Sequence, residues 1–160
     1  MKIARAFLLS LASLLVATAA SASSLVDTDW LAKNLGSPDV LVLDASPRPM
    51  HNRGHVPGAV PVDVMSIASF GIRDIPDQEL ERVYQSLGVD ARRRIVIYDQ
   101  GGTWFGTRLF FQLHYHGFPV EKLAMLDGGM AKWQAEGRPV TKDATPAPAV
   151  GSFRITQVNE

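Results

Sequence analysis

The sequence predicts an α/β fold, a mostly parallel central sheet with helices on both faces. Three observations predict it. Val40-Leu-Val-Leu43, Ile95-Val-Ile-Tyr98 and Leu123–Leu126 are short continuous apolar runs, the pattern of strands covered on both sides. Segments of helical spacing alternate with them, such as Leu80, Val83, Tyr84 and Leu87 on one face of a helix running from about Asp77 to Leu87. Gly36, Gly88, Gly117 and Gly137 stand where four such helices should stop.

The elements follow in order. Residues 1–22 read as a secretory signal: Lys2 and Arg5 open it, residues 6–20 are uncharged and mostly apolar, and Ala20-Ser21-Ala22 is a small-residue cleavage site. Asp27-Thr28-Asp29 caps a helix from Trp30 to Leu35. The first strand is Val40–Leu43, and Ala59–Val64 is a second, marked as an edge by Pro61. The helix at residues 77–87 leads to the third strand, Ile95–Tyr98. A glycine-bearing loop and a helix over residues 104–115 come next. Leu123–Leu126 is the fourth strand, and a helix from Met130 to Glu136 closes the series. Residues 23–142 are expected to form the domain. Residues 143–160, rich in Ala, Pro, Thr and Gly at first, read as a linker toward a missing second domain, with Ser152–Ile155 opening another strand.

Composition excludes several functions. The chain has no cysteine, which removes thiol catalysis, disulfide exchange and thiolate metal sites. Cleavage of 22 of the 160 residues leaves 138, one domain of ordinary size that needs no disulfide. Without Lys2 and Arg5, 14 basic residues face 16 acidic ones. That balance gives no reason to expect nucleic acid or an anionic membrane as partner. Arg92-Arg93-Arg94 is the one basic run and reads as a solvated loop. Gly101-Gly102-Thr103-Trp104 lacks the lysine of a phosphate-binding loop. A phosphotransferase that starts from a strand-tip aspartate needs a second acid at position 101, which is glycine. His114 and His116 point to different sides of a helix. No cofactor and no metal site is expected.

The most informative stretch is Tyr98-Asp99-Gln100-Gly101-Gly102-Thr103, a strand running into a loop at a helix start, where α/β proteins build anion and active sites. Leu43-Asp44 and Gly54-His55-Val56-Pro57-Gly58-Ala59 precede it. Leu126-Asp127-Gly128-Gly129, Trp133, Gly137 and Pro139-Val140 follow it. Read as structure, Pro57-Gly58 is a turn, Gly128-Gly129 allows close backbone approach, Trp133 plugs a helix onto the sheet, and His55 is a structural hydrogen-bonder.

In order and spacing these motifs resemble the rhodanese (sulfurtransferase) family, over about residues 25–142. The resemblance implies the rhodanese-like three-layer fold and puts the chemistry at the loop. Active members place cysteine where Asp99 stands. Backbone N–H groups curl around that thiolate, which takes the outer sulfur of thiosulfate and passes it from a persulfide to an acceptor. A carboxylate cannot do this. Asp99 therefore occupies the nucleophile position, and no residue here is expected to be catalytic.

Tandem members of the family carry two copies of the fold, and Tyr98–Gly102 is similar to their cysteine-free N-terminal copy, as are Leu25–Leu31 and Leu43–Ser46. The resemblance implies a partner, a C-terminal rhodanese domain with the cysteine, on the same gene product or an adjacent chain. It also implies a cleft with vestigial loop residues Gln100, Gly101, Gly102 and Thr103. Trp104 and Phe105 line that cleft or belong to the core. Arg108 binds an anion or makes a structural salt bridge. Ser46, Met50 and His51 depart from the pattern of single-domain members, and the tandem pattern's tryptophan near Pro47 is absent. The expected function is a non-catalytic rhodanese-like domain of a periplasmic or secreted sulfurtransferase acting on a small sulfur-containing anion. The alternative is a stand-alone periplasmic protein that uses the scaffold for anion binding or protein interaction.

Overall fold

The structure, a computed structural model, describes residues 23–67 and 75–156. The signal expected at residues 1–22, and the last four residues of the expected linker, lie outside the described residues. Among the described residues no helix is long and apolar enough to cross a membrane.

Five parallel strands form one sheet in the order β1-β5-β4-β2-β3. They are β1 (Leu25–Val26), β2 (Val40–Asp44), β3 (Val60–Pro61), β4 (Arg94–Tyr98) and β5 (Leu123–Leu126). Among the described residues the α-helices are α1 (Thr28–Asn34), α2 (Arg48–Arg53), α3 (Val64–Ile67), α4 (Asp77–Ser86), α5 (Phe105–Tyr115) and α6 (Gly129–Ala135). The expected α/β class and parallel sheet are what is found.

Strand alternation divides the core. Leu41, Leu43, Ile95, Ile97 and Leu123 face one side and pack with Leu80, Tyr84, Leu109, Leu113 and Phe118 from α4, α5 and the turn after α5. Val42, Val96, Tyr98, Ala124 and Leu126 face the other and meet Leu31, Met130 and Trp133 from α1 and α6. Both faces are buried, which is why the central strands are apolar from Val40 to Leu43 and from Ile95 to Ile97, on both faces. Asp27 caps α1 by accepting from Trp30 N at 2.6 Å. Trp133 is fully buried and donates its indole N–H to the Pro139 carbonyl at 2.8 Å.

Several expectations need correction. The strand expected at 59–64 is only two residues long, because Asp63 turns the chain into α3. Ser66 N reaches both the Asp63 carbonyl (3.1 Å) and Asp63 Oδ1 (3.3 Å). β1 and α2 were not expected. Ser152–Ile155 forms no strand. The chain beyond residue 143 runs back over the domain instead. Thr145 Oγ1 donates to the Ala59 carbonyl at 2.8 Å, Gly151 N to Gln85 O at 2.8 Å, and Phe153 N to Val89 O at 3.2 Å. Phe153 is 5% exposed and packs on Tyr84 and Phe118. A β-carbon on Gly151 would lie 2.0 Å from the Val89 carbonyl oxygen, so only glycine permits this approach.

Candidate functional site

The parallel sheet brings the C-terminal ends of β2, β3, β4 and β5 to one edge, where such sheets place their sites. The loop after β4 sits at that edge. Asp99, at the strand tip, is 4% exposed. Its Oδ1 accepts from Gly101 N at 2.9 Å and its Oδ2 from Gly106 N, in the first turn of α5, at 3.0 Å. The loop's carbonyls are satisfied from the other side. Met130 N donates to Asp99 O at 2.8 Å and Ala131 N to Gln100 O at 3.1 Å, both from the start of α6. This contact is close because residue 129 is glycine: a β-carbon there would lie 2.6 Å from Asp99 O. Gln100 Nε2 donates to Ser46 Oγ at 2.9 Å and ties the loop to the end of β2.

Gly101 and Gly102 turn the loop with φ of +90° and +74°, a region side chains rarely adopt. Gly102, Thr103 and Trp104 are exposed. Trp104 is 46% exposed and stacks on Phe105, with ring centroids 4.5 Å apart. Phe105 in turn closes one side of a cavity of about 180 Å³ with Ala45, Ser46, Val62 and Met65. The expected residues 99–105 thus come together. Arg108 does not join them: it lines a separate cavity of about 500 Å³ with Asp77, Leu80, Phe111 and Gln112.

Behind the loop lies a buried polar cluster whose connections are not evident from the sequence. Asp44 Oδ2 accepts from the Tyr98 hydroxyl at 2.9 Å and pairs with His51 Nδ1 at 2.7 Å, while its Oδ1 accepts from Ser46 N. The Tyr98 oxygen accepts from Val56 N at 3.1 Å. His51 stacks face to face on His55, ring centroids 3.7 Å apart, and His55 Nδ1 donates to the His51 carbonyl. The period-two reading puts Tyr98 and Asp44 on the same side of the sheet, which is the one sequence signal for the cluster. Burial holds the His51 imidazole below the usual histidine value despite Asp44. Burial, reinforced by the Asp44 charge, pushes the Tyr98 phenol far above its ordinary value. The cluster fixes α2 and the 54–59 loop to the sheet. Among the described residues no group of His, Asp and Glu could hold a metal ion.

Residues 27–136 match the rhodanese-like domain family. The chain belongs to that family. It is 30% identical over 139 residues to the sulfur carrier protein TtuD of Thermus thermophilus, covering 85% of this chain and 48% of that one. It is 33% identical over 125 residues to thiosulfate/3-mercaptopyruvate sulfurtransferase 2 of Arabidopsis thaliana, covering 70% of this chain and 36% of that protein. The crystal structure of SseA from Escherichia coli superposes with a TM-score of 0.74 at 24% identity, over 86% of this chain and 56% of SseA. That likeness establishes the fold. The chain spans about half the length, or less, of these curated relatives.

At the end of β4 this rhodanese-like chain has a carboxylate, and its sequence contains no cysteine. Oxygen is a poor nucleophile toward sulfur, and aspartate forms no persulfide. A carboxylate at this position does not carry sulfur as a persulfide.

Proposed function

We propose that this chain is the non-catalytic rhodanese-like domain of an exported sulfurtransferase, acting beside a rhodanese-like domain that bears the cysteine. Asp99 at the nucleophile position is the observation that carries the reading. The match to about half the length, or less, of the curated relatives supports the partner domain, and the pattern of residues 1–22 supports export to the periplasm or beyond. On this reading the partner's cysteine takes sulfur from thiosulfate or 3-mercaptopyruvate. Residues 100–105 of this chain form part of the cleft wall, with Trp104 and Phe105 as its apolar surface.

The test has two arms. The purified chain should show no thiosulfate:cyanide sulfur transfer above a buffer control; turnover would overturn the reading of Asp99. The native gene product, recovered from its source and mapped by mass spectrometry, should carry or co-purify with a second rhodanese-like domain containing a cysteine. A cysteine-free product that co-purifies with no such domain would overturn the partner and favour the stand-alone alternative.

A further inference from the structure

We propose that Asp99 is a built-in anion, occupying the Gly101 and Gly106 N–H groups at the loop after β4 and closing this domain to external oxyanions. The proposal rests on the reading above only in taking this loop as the place where an anionic sulfur donor would sit.

The argument is one of occupancy. Two segments converge on the loop with backbone N–H groups, the loop and first turn of α5 on one side and the start of α6 on the other. Gly101 N and Gly106 N are each bonded to a different oxygen of the Asp99 carboxylate, at 2.9 and 3.0 Å. Met130 N and Ala131 N are bonded to the loop's own carbonyls. All four donors face oxygens of residues 99 and 100. A carboxylate held by two N–H groups at the head of an eleven-residue helix puts negatively charged oxygens on donors that a bound oxyanion would use. It is also tethered, so it loses no translational freedom on occupying the site, as a free ion must.

Local sequence is shaped to this contact. A β-carbon on residue 106 would lie 2.7 Å from Met125 Cε and 3.3 Å from Asp99 Oδ2, so glycine there leaves room for both the methionine and the carboxylate against the helix. Asp99 itself is almost fully buried. A thiosulfate or sulfate ion approaching the loop meets Gly101 N and Gly106 N already bonded, and a carboxylate beside them that repels it. An empty version of the same loop would attract it. Aspartate at this position therefore has a role that mere absence of cysteine would not supply: it keeps the loop ordered without a ligand and keeps the donor anion out.

The full chain, labelled with ¹⁵N, is titrated with sodium thiosulfate and separately with sodium sulfate at constant ionic strength. In the wild type the Gly101 and Gly106 amide resonances should stay in place up to about 20 mM, beyond the millimolar range of a weak site. In Asp99→Ala both should move and saturate, with affinity at least about tenfold above the wild-type limit. Asp99→Asn, a neutral isostere, carries this arm if the alanine variant does not fold. Wild-type Gly101 and Gly106 amides that titrate with either anion would overturn the proposal, as would two folded variants that bind neither. Failure of both variants to fold would also overturn it, because the carboxylate would then be a requirement of the fold and not a replaceable occupant. Sulfur transfer by the chain alone, or a native product without a cysteine-bearing partner, would overturn the proposed function and leave the occupancy of the loop untouched.

Discussion

Phe153→Ala measures whether residues 143–156 belong to the folded domain. The ring is 5% exposed, 5.9 Å from Tyr84 and 5.3 Å from Phe118 between ring centroids. Truncating a buried phenylalanine costs about 3–5 kcal/mol in a closed core. This ring sits on a strap that can peel away, so the loss is capped by the free energy that docks the strap. Gly151 N to Gln85 O, Phe153 N to Val89 O, Gln85 Nε2 to Phe153 O, Ser152 Oγ to Asp90 and Ile155 N to Glu81 help hold it. An expected cost of about 2–4 kcal/mol follows, the lower part of the range for a ring whose site can relax. For a domain of this size that lowers the melting temperature by roughly 6–15 °C. Scanning calorimetry reads the shift, and amide hydrogen exchange at Gly151 and Phe153 reads the undocking. A melting temperature unchanged within about 1 °C, together with unprotected wild-type amides at both positions, would refute the packing of this segment.

Three further outcomes are expected. Tyr98→Phe removes the hydroxyl that joins Asp44 to Val56 N and should cost about 1–3 kcal/mol in urea unfolding, since it strands buried partners; a loss below about 0.5 kcal/mol would show that the cluster is not cooperative. Burial holds the His51 and His116 imidazoles below the usual histidine value. As pH falls through about 6.5 the unfolded chain therefore takes up protons before the folded one does, and stability drops on the acid side; a urea midpoint that does not fall between about pH 7.5 and 5.5 would contradict this sign. Asp99→Cys puts a thiolate beside Gly101 N and Gly106 N. With thiosulfate it should take the outer sulfur as a persulfide and release sulfite, and mass spectrometry showing no added sulfur would mean that the loop geometry does not activate it.

What was legible in the sequence follows from how local each signal is. β2, β4 and β5 announce themselves because burial on both faces forces apolar side chains at consecutive positions. α4 shows its apolar spacing and its stop at Gly88. α2 has neither. Its six residues, Arg48–Arg53, are held where His51 meets Asp44, seven residues away in sequence and on another element. β1 has only two residues and gains its identity from pairing with β5. Ser152–Ile155 shows the alternation of a strand, and the structure honours it: Phe153 is buried and Ile155 half-buried, with exposed Arg154 between them. The expected strand partner is replaced by the side chains of Gln85 and Glu81 on α4, which no reading of period can foresee. At the site, the place of Asp99 is legible from the strand tip. The destination of its carboxylate is not, because it depends on the turn through Gly101 and Gly102 and on where α5 begins. Arg108 lies one turn along α5, and that step carries it to a different cavity.

The inward bonding of Asp99 and Gln100 has consequences for the edge of the sheet around the loop. The Asp99 carboxylate, the Gln100 side chain and the N–H groups of Gly101, Gly106, Met130 and Ala131 are bonded inward. Outward, the same edge presents Trp104 stacked on Phe105, with Met65 across the small cavity that Phe105 closes. Trp104 and Met65 are both exposed large apolar side chains. Such surface lowers its free energy by being covered, whereas the bonded loop gains little from any new polar contact. On the proposed reading this division suits a cleft wall: an adjoining active domain needs a dry, shaped boundary for its persulfide, and a second anion-receiving loop would compete for the same donor. The two loops would then differ for a physical reason. One keeps its N–H groups for the substrate; the other, here, gives them to Asp99.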